Sequence, residues 1–577
     1  NPQSPIPNNL IILLKILNLS KMNFDSGEND DFLTLKMHGN TYMQDKQYLK
    51  AIHRYTKALS KLPLIQNSSE EEIKNRLITL SNRAEGFLKL GYFYSALKDC
   101  EEILEKNKKH LSLLDTTQID KVINRKARSK EQLATNLDEI NEIDKIYDSM
   151  SENSKKQFNI ENIKKTLNEK KNNMKGIFNK KELISYEQSC FETINTKKYY
   201  LDSINKEFKY ANYFNSDLIQ ESFNNIKGNH YIAKSDIKEG SLLIVEIPLL
   251  SIYDQEIKKF SSTFEKFEKM GFSTNELALE ILFTNFKDRI SFTEEKKFLI
   301  EKMSQLSCFD LNNTKKTKEE RIKSFKYSED IIRDIISTNS ILTLRNDRKR
   351  IAPIELCYGL YINCSFFNHS CNPNCFYFGI ANMLIVKAIK DIKKGEELTV
   401  SYIEPKPAYM RKNDLSKWEF TCECKYCKEE ADICNKDSYF KVFDTYVKIQ
   451  NIMVNNGINS YEQLEIKLDV FSQDTIFNMI NNMIEKKVFD YEDINLKFLY
   501  FIFFKCIAVV MGHFDKQKNF ANFMFEKAYE CVKYISKREK YELISNWILL
   551  CDKQIFKLKK LELEQEINEI YNLLYEF

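Results

Sequence analysis

The sequence lacks three features that would each assign it to a well-defined class of protein. The first is a strong excess of charge, since 87 lysines and arginines against 83 acidic residues give a formal net charge of +4. This balance argues against a protein that binds nucleic acid with its whole surface. We therefore expect no direct sequence-specific nucleic-acid binding, although a local basic patch stays open.

Long hydrophobic runs are also missing. The apolar run at residues 10–17 is too short to span a bilayer, and no small-residue cleavage site follows it. We therefore expect neither a signal peptide nor a membrane segment. The chain begins at Asn1, and Met22 precedes the first organised helix. Met22 is therefore a candidate for the true start, in which case the first 21 residues carry no function. We expect residues 1–31 to be a disordered or non-native leader.

The third missing feature is an even spread of cysteines. Seven of the 14 cysteines lie between Cys357 and Cys427. A secreted disulfide framework would distribute them, whereas such clustering indicates metal binding in a reducing compartment. We therefore expect a cytoplasmic or nuclear protein, and its 577 residues predict more than one domain.

Helical repeats occupy the first quarter of the chain. The pattern at residues 48–59 recurs at residues 80–92 and 96–104, with small residues where paired helices would touch. This pattern resembles tetratricopeptide repeats, in which helix pairs bury a face by stacking. We expect such a domain at residues 32–135, with loops near residues 66–72 and 107–118 lengthening the usual repeat.

These repeats are more closely similar to co-chaperone domains that bind the C-terminal Glu-Glu-Val-Asp of heat-shock chaperones. Residues four apart share a helix face, so the matching side chains would converge on a concave surface and donate hydrogen bonds to carboxylates. The alternative is that they are solvated charges and repeat consensus. The implied clamp consists of Lys36, Asn40, Asn82, Lys121 and Arg125.

Polar turn residues and cysteines mark the middle of the chain. Residues 365–375 read S-F-F-N-H-S-C-N-P-N-C, followed by E-L-T-V-S-Y at 397–402 and C-E-C-K-Y-C at 422–427. Asn and Pro oppose both helix and strand, so the first motif predicts a turn-rich segment that holds polar groups in place. The three motifs resemble the SMYD-like branch of the SET-domain lysine methyltransferases. This resemblance covers residues 227–427 and implies transfer of a methyl group from S-adenosylmethionine to a protein lysine.

The resemblance also implies roles for individual residues. Tyr402, at the end of an expected strand, would be the catalytic tyrosine and would line the substrate channel with Trp418. His230 stands where the family has the second glycine of a Gly-x-Gly motif. It either crowds the cofactor pocket or points outward, and it counts against full activity. The implied cofactor-binding residues are Lys227, Gly228, Asn229, Asn346, Asn368, His369, Tyr402 and Phe420.

A zinc site is expected at the third motif. Cys422, Cys424 and Cys427 supply three thiolates, and a structural zinc ion takes four ligands. The resemblance implies Cys371 as the fourth, and Cys375 and Cys434 are the alternatives. A closed site of this kind is structural and would hold the following loop over the cofactor. A MYND zinc finger is not expected, because residues 191–356 contain too few cysteines and histidines.

Together these features predict an α+β protein with helical repeats, a β-rich SET core and a C-terminal helical domain. The predicted divisions are a solvated or partly disordered helical connector (136–220), a SET domain (221–410) with a helical insert (251–345), a post-SET zinc segment (411–430) and a TPR-like helical domain (431–577). The predicted function is protein-lysine N-methylation. The alternative is a chaperone-linked adaptor whose SET domain is inactive or weakly active.

Overall fold

A computed structural model describes most of the chain. The described residues are 30–179, 182, 183, 185, 210–224, 227–253, 274–306, 316–345, 354–380, 382–403, 408–418, 420–433, 437–455, 470–485, 497–512, 518–531, 540, 543, 544, 547 and 563–570. The expected leader up to residue 29, the cofactor residue Asn346 and the alternative zinc ligand Cys434 lie outside them.

Five helices form the N-terminal region, and each packs against the next along the chain. The buried faces of the last four form one apolar core that includes Ile52, Leu80, Phe87 and Ala96. The helices are α1 (Phe32–Gln44), α2 (Tyr48–Lys61), α3 (Glu70–Leu90), α4 (Phe93–Glu101) and α5 (Thr116–Leu133).

Local sequence explains where these helices begin, end and touch. Ser69 and Glu72 form a capping box at the start of α3. Gly91 ends α3 with a φ of 76°, a left-handed conformation that favours glycine. Gly39 faces the ring of Tyr55, and a Cβ at that position would lie 2.5 Å from Tyr55 Cε1. Gly39 therefore lies where α1 and α2 approach closely.

The extra residues between helices form short non-α turns. These turns are Ile65–Asn67, Glu102–Lys106 and Lys108–Leu113. They lie at or beside the two positions at which the sequence predicted longer loops.

The described part of the predicted connector is helical, as expected, but the prediction that it is solvated is wrong. It forms three helices, α6 (Leu137–Asp148), α7 (Glu152–Gln157) and α8 (Ile160–Asn173). Ile140, Ile143 and Tyr147 recur on one face of α6 and are fully buried in a core of their own. Because charged residues surround this narrow apolar stripe in the sequence, the stripe is difficult to recognise there. It is nevertheless wide enough to pack the helix against a core.

Eleven short strands form four sheets within the described part of the central region. The largest is antiparallel with the order β1-β4-β10-β9, and the others are β5-β7-β6, β2-β3 and the parallel pair β11-β8. The strands are β1 (Tyr213–Phe214), β2 (Ile219–Asn224), β3 (Gly228–Ala233), β4 (Leu242–Glu246), β5 (Leu250–Tyr253), β6 (Ser340–Arg345), β7 (Ile354–Leu360), β8 (Asn368–His369), β9 (Cys375–Ile380), β10 (Met383–Ala388) and β11 (Thr399–Val400).

The parallel pair β8 and β11 brings two of the sequence motifs together. Asn368 lies opposite Thr399, and His369 lies opposite Val400. The strand expected at residues 397–402 is shorter than predicted, so Tyr402 lies beyond its end. The reason is that the backbone N–H of Tyr402 donates to the His369 side chain and not to a neighbouring strand.

The insert between β5 and β6 is helical in its described residues. It contains α9 (Thr274–Ile290), α10 (Thr293–Met303), α11 (Lys318–Ser324) and α12 (Glu329–Asn339). Apolar residues of α9, α10 and α12 pack against the β5-β7-β6 sheet. The predicted insert boundaries of 251–345 are too wide, because they take in parts of β5 and all of β6.

Helices also make up the described C-terminal residues, and their core reaches Phe376 and Phe378 of β9. None of the helices described anywhere in the chain combines the length and the apolar character that crossing a membrane requires. The helices are α13 (Ala408–Leu415), α14 (Lys425–Ile433), α15 (Asp437–Asn455), α16 (Val470–Glu485), α17 (Lys497–Gly512) and α18 (Lys518–Cys531).

Candidate active site and cysteine cluster

Tyr402 is held from several sides. Its hydroxyl donates to the carbonyl oxygen of Phe367 at 2.6 Å, and its backbone N–H donates to His369 Nδ1 at 3.0 Å. The Trp418 ring lies 5.0 Å from the Tyr402 ring, and Phe420 meets it edge-on at 6.5 Å. Burial raises the pKa of the Tyr402 phenol, so the hydroxyl stays protonated at neutral pH. The result is a fixed, neutral phenol in an aromatic wall.

Asn368 and Lys227 are joined by a residue that the sequence analysis did not select. Asn368 Nδ2 donates to Glu397 Oε1 at 2.9 Å and to the Lys227 carbonyl oxygen at 3.3 Å. The Lys227 ammonium pairs with the other oxygen of Glu397. Glu397 is the first residue of the E-L-T-V-S-Y motif, which is the signal that could have identified it.

The glycine-containing strand β3 places His230 in the interior. Gly228 has a φ of 70°, which favours glycine at that position. His230 is only 5% exposed, and its Nδ1–H donates to the Gly228 carbonyl oxygen at 2.9 Å. The outward orientation considered from the sequence is therefore wrong. Asn229 Nδ2 donates to the Lys316 carbonyl oxygen of the insert at 3.2 Å.

The four cysteines expected to bind zinc lie together. Their sulfur atoms are all within 4.8 Å of one another, and Cys371 Sγ lies 3.8 Å from Cys422 Sγ and 3.6 Å from Cys427 Sγ. Four sulfurs placed tetrahedrally about 2.3 Å from a zinc ion would be roughly 3.8 Å apart. The alternative ligand Cys375 is buried in β9 opposite Ala388 and does not belong to this group. The spacing of the four thiols therefore fits a tetrahedral metal site.

Charge around the cluster is consistent with thiolates. Arg411 is 1% exposed and donates to Cys427 Sγ at 3.6 Å. A buried guanidinium beside four sulfurs offsets part of the negative charge that four thiolates would carry around one divalent ion.

His369 connects the cysteine cluster to Tyr402. Its Nδ1 accepts the Tyr402 backbone N–H, so the ring hydrogen lies on Nε2, which faces Cys371 Sγ at 3.2 Å. The ring centroid lies 5.3 Å from that of Tyr402 and 5.9 Å from that of Phe420. One side chain therefore contacts the candidate catalytic residue, the candidate metal site and the aromatic wall.

The five expected clamp residues are only partly brought together. Asn82 Nδ2 donates to Asn40 Oδ1 at 3.2 Å, and the hydroxyl of Tyr55 donates to the same oxygen at 2.8 Å. Lys36 Nζ donates to Asn75 Oδ1 at 3.0 Å. The first contact brings Asn40 and Asn82 together, whereas Lys36, one helical turn before Asn40, bonds to Asn75.

Arg125, the clamp residue on α5, already contacts a carboxylate. Its Nε donates to Glu85 Oε2 at 3.0 Å, and Arg128 pairs with the same carboxylate. Burial alone would raise the pKa of Glu85, but Arg128 and Arg125 together lower it to about 2. Lys121 is exposed. No repeat motif marks Glu85, so its contact with Arg125 could not be predicted from the sequence.

Comparison with known proteins identifies the family. The SET domain family model matches residues 105–403, which is more than half of the chain and includes Asn368, His369 and Tyr402. The matched range ends before Cys422, so it does not include three of the four clustered cysteines.

Shorter stretches are similar to individual proteins. A SET and MYND domain-containing protein of Dictyostelium discoideum is 40% identical over 79 residues, which are 13% of this chain and 15% of that protein. The histone-lysine N-methyltransferase SET5 of Eremothecium gossypii is 41% identical over 80 residues, 14% of this chain and 16% of that protein. The human histone-lysine N-methyltransferase SMYD3 is 32% identical over 105 residues, 17% of this chain and 24% of that protein. Each match therefore spans less than a quarter of the relative.

One solved structure, the SET domain of LSMT bound to lysine and AdoHcy, aligns with 69% of this chain and 96% of its own. The sequence identity is 12% and the TM-score is 0.21, which is too low to support any argument. The family model, in contrast, covers most of the central region and contains the Tyr402 site. The chain belongs to the SET domain family.

Proposed function

We propose that this protein is an S-adenosylmethionine-dependent protein-lysine N-methyltransferase. The observation that carries the proposal is the fixed Tyr402 phenol, which lies in an aromatic wall beside Asn368 and His369. The names of two relatives include histone-lysine N-methyltransferase, which supports the reaction class. The protein substrate is proposed only as a lysine-containing protein, in the cytoplasm or the nucleus.

Tyr402 would orient the attacking lysine amine. Its hydroxyl hydrogen is committed to the Phe367 carbonyl, so the lone pairs of the phenolic oxygen are directed away from that bond. They can accept a hydrogen bond from an ε-amine and align its lone pair for in-line attack. Since burial raises the pKa of the phenol, Tyr402 acts as a neutral orienting group and not as a base.

The aromatic wall would favour the neutral amine. Trp418 and Phe420 flank Tyr402 and cover part of its ring with apolar surface. Desolvation of this kind disfavours an ammonium ion, and attack requires the unprotonated amine. Trp418 is positioned by the insert, because its Nε1–H donates to the Thr338 carbonyl oxygen at 3.4 Å.

The methyl donor would lie against the segments around β3 and β8. S-adenosylmethionine supplies an electrophilic methyl group on a sulfonium. Gly228 allows its backbone a left-handed conformation, and Phe420 is 37% exposed beside His369, which leaves ring surface for an adenine. These features fit the donor. The proposed contacts come from Lys227, Gly228, Asn229, Asn368, His369, Tyr402 and Phe420, and Asn346 stays a prediction.

The cysteine cluster would hold a structural zinc ion. All four protein ligands are cysteines, and a site closed by four protein ligands is structural. Its proposed effect is to hold residues 420–427 against β8, because Cys371 follows β8 by two residues and the other three cysteines follow Phe420.

Methyl transfer by the purified chain tests the proposal. Tyr402→Phe should abolish transfer to proteins or peptides while calorimetry shows nearly unchanged S-adenosylmethionine affinity, because the phenol orients the amine and not the donor. Tyr42→Phe, on the N-terminal helix α1, is the matched control and should leave both unchanged. Retained transfer by Tyr402→Phe would contradict the catalytic role, and failure of the wild type to bind the donor would contradict the proposed function.

As a second function, we propose that the N-terminal helices are tetratricopeptide repeats that bind a peptide. The contact between Asn40 and Asn82, with Lys36 beside them, supports this adaptor role. A chaperone tail ending in Glu-Glu-Val-Asp would supply carboxylates to these donors and to Lys121 and Arg125. To bind Arg125, a peptide carboxylate must replace Glu85. The buried His230 also favours the adaptor, because an imidazole stands where the family has glycine.

A further inference from the structure

A phenylalanine of the insert is buried inside the N-terminal helices. Phe292 lies in the turn between α9 and α10, yet it belongs to the apolar core of α2 to α5. Its ring meets Phe87 edge-on at a centroid distance of 5.1 Å and lies 5.9 Å from Tyr92 and 5.3 Å from His53. The insert therefore completes a core that the N-terminal helices do not close by themselves.

A glutamate of the insert caps one of those helices. Glu295 is 0% exposed, and its Oε1 accepts the backbone N–H of Ser95 at 3.2 Å. Ser95 is the third residue of α4. Tyr92, the N-cap residue just before the helix, makes no side-chain capping hydrogen bond. An unpaired N–H at a helix start is costly when buried, and a carboxylate there also interacts favourably with the helix dipole. The Glu295 carboxylate of the insert thus provides the N-terminal cap that no side chain at the start of α4 provides.

The same glutamate is tied to the central sheets. Arg289 donates to Glu295 Oε2 from Nε and Nη2, at 3.2 and 2.8 Å. Its Nη1 donates to the carbonyl oxygen of Leu249, which directly precedes β5. At the far end of the insert, Thr338 accepts the Trp418 indole hydrogen, and Trp418 packs on Tyr402. Apolar residues of α9, α10 and α12 share one core. Contacts therefore connect α4 through the insert to the aromatic wall.

We propose that the N-terminal helices are a fixed support of the insert, and that the docking of Phe292 and Glu295 sets the position of Trp418 against Tyr402. The effect on methyl transfer rests on the proposed function, whereas the docking itself does not. Phe87 and Glu85 are two residues apart on α3, and successive helical residues are rotated by about 100°, so they face nearly opposite sides. The face with Asn82 and Glu85 thus stays available for a ligand while the Phe87 face holds the insert.

Hydrogen exchange of the full chain tests the docking from both sides. Glu295→Gln keeps the size of the side chain but removes its charge, and the neighbouring Glu294→Gln removes a surface pair with Lys297 and is the matched control. Loss of one partner of a buried pair is strongly destabilising, so we expect amide exchange in α4 and in α9–α10 to accelerate together by about 100-fold. The control should change neither.

A substitution on the opposite side provides the reciprocal measurement. Phe87→Ala leaves a cavity beside Phe292 on the α3 side. It should therefore accelerate amide hydrogen exchange in α9–α10. If α9–α10 exchange as in the wild type when Phe87 is removed, the helices do not support the insert and the proposal is overturned. Exchange that accelerates only in the mutated element of each variant would overturn it as well.

Tryptophan fluorescence tests the effect on the aromatic wall without any need for activity. The chain has two tryptophans, so a Trp547→Phe background isolates Trp418. In that background Phe292→Ala should shift the Trp418 emission to the red and increase its quenching by acrylamide. Unchanged emission together with accelerated exchange would contradict the coupling to Trp418. An inactive wild type that still shows both changes would contradict the proposed function alone.

Discussion

The Tyr402 site and the N-terminal helical face differ in how their predicted residues are held. At the Tyr402 site, Asn368, His369 and Tyr402 come from two segments that a parallel strand pair joins, and backbone groups take part in their contacts. On the helical face, the predicted residues lie on separate regular helices. Side chains outside the motif accept hydrogen bonds from two of them, Asn75 from Lys36 and Glu85 from Arg125.

This difference shows what residue spacing can and cannot predict. Helical spacing predicts that two side chains share a face, but not which neighbouring charge they will meet. A motif in which the polar residues also bond to the backbone specifies both their positions and their partners. From sequence, the N-terminal face is therefore the harder of the two sites to predict, and its binding depends more on a single carboxylate, Glu85.

The largest effect should follow removal of a clustered thiol. Cys424→Ser should release the zinc ion, because apparent binding free energies of structural zinc are about 10–16 kcal/mol and depend on the complete ligand set. Cys375→Ala, in which the removed thiol lies outside the cluster, should keep the metal. Mass spectrometry of the native protein measures the metal content. A wild-type chain that is folded and free of metal would contradict the zinc site.

Replacement of Glu85 should have the next largest effect, and this effect should depend on pH. The pKa of Glu85 in the folded protein is about 2, below its ordinary value, so its carboxylate stabilises the fold above the unfolded pKa. That contribution is lost as the pH falls through the range from about 4.5 to 2. Glu85→Gln should therefore lower the unfolding free energy by about 3 kcal/mol at pH 7 and by little near pH 2.

The same variant tests the peptide site. If Glu85 competes for Arg125, Glu85→Gln should bind a peptide ending in Glu-Glu-Val-Asp more tightly, by a factor between about 10 and 150 for a charge-assisted bond of about 1.5–3 kcal/mol. Fluorescence anisotropy with this peptide and an amidated copy measures the change. Arg125→Ala should weaken binding at low salt. Equal affinity of all variants for both peptides would show that the face is a solvated repeat surface.

Much of the Tyr402 site could be predicted because its residues belong to short motifs. Tyr402, His369 and Cys371 are such cases, and each lies within contact distance of another predicted residue. The carboxylates Glu85, Glu246 and Glu295 could not be predicted, because their partners come from distant segments. Glu246, for instance, accepts the backbone N–H groups of Asn363 and Cys364, and burial raises its pKa.

Fold details were missed for a related reason. A six-residue strand ending at Tyr402 fits the local sequence, but the side chain of His369 takes the Tyr402 N–H, and the ladder stops at Val400. The buried stripe of α6 was missed because charged residues outnumber the few apolar ones around it. In both cases the local sequence was compatible with more than one structure, and a contact with a distant segment determined which one formed.

The smallest effect is expected at His230, where the two candidate functions diverge. Its imidazole is buried and bonded to the Gly228 carbonyl oxygen. His230→Gly removes that bond and adds backbone freedom, so it should lower the unfolding free energy by about 1–2 kcal/mol. If the ring crowds the donor site, calorimetry should nevertheless show tighter S-adenosylmethionine binding.

His38→Gly is the matched control for that measurement, because it costs about 1 kcal/mol in the exposed helix α1 far from the donor site in sequence. It should destabilise the chain to a similar degree without changing donor affinity. Tighter binding by His230→Gly alone would mean that the buried imidazole limits a functional methyltransferase site. If His230→Gly instead weakens donor binding, the free energy of unfolding and the donor affinity fall together. That result would show that His230 supports the β3 segment.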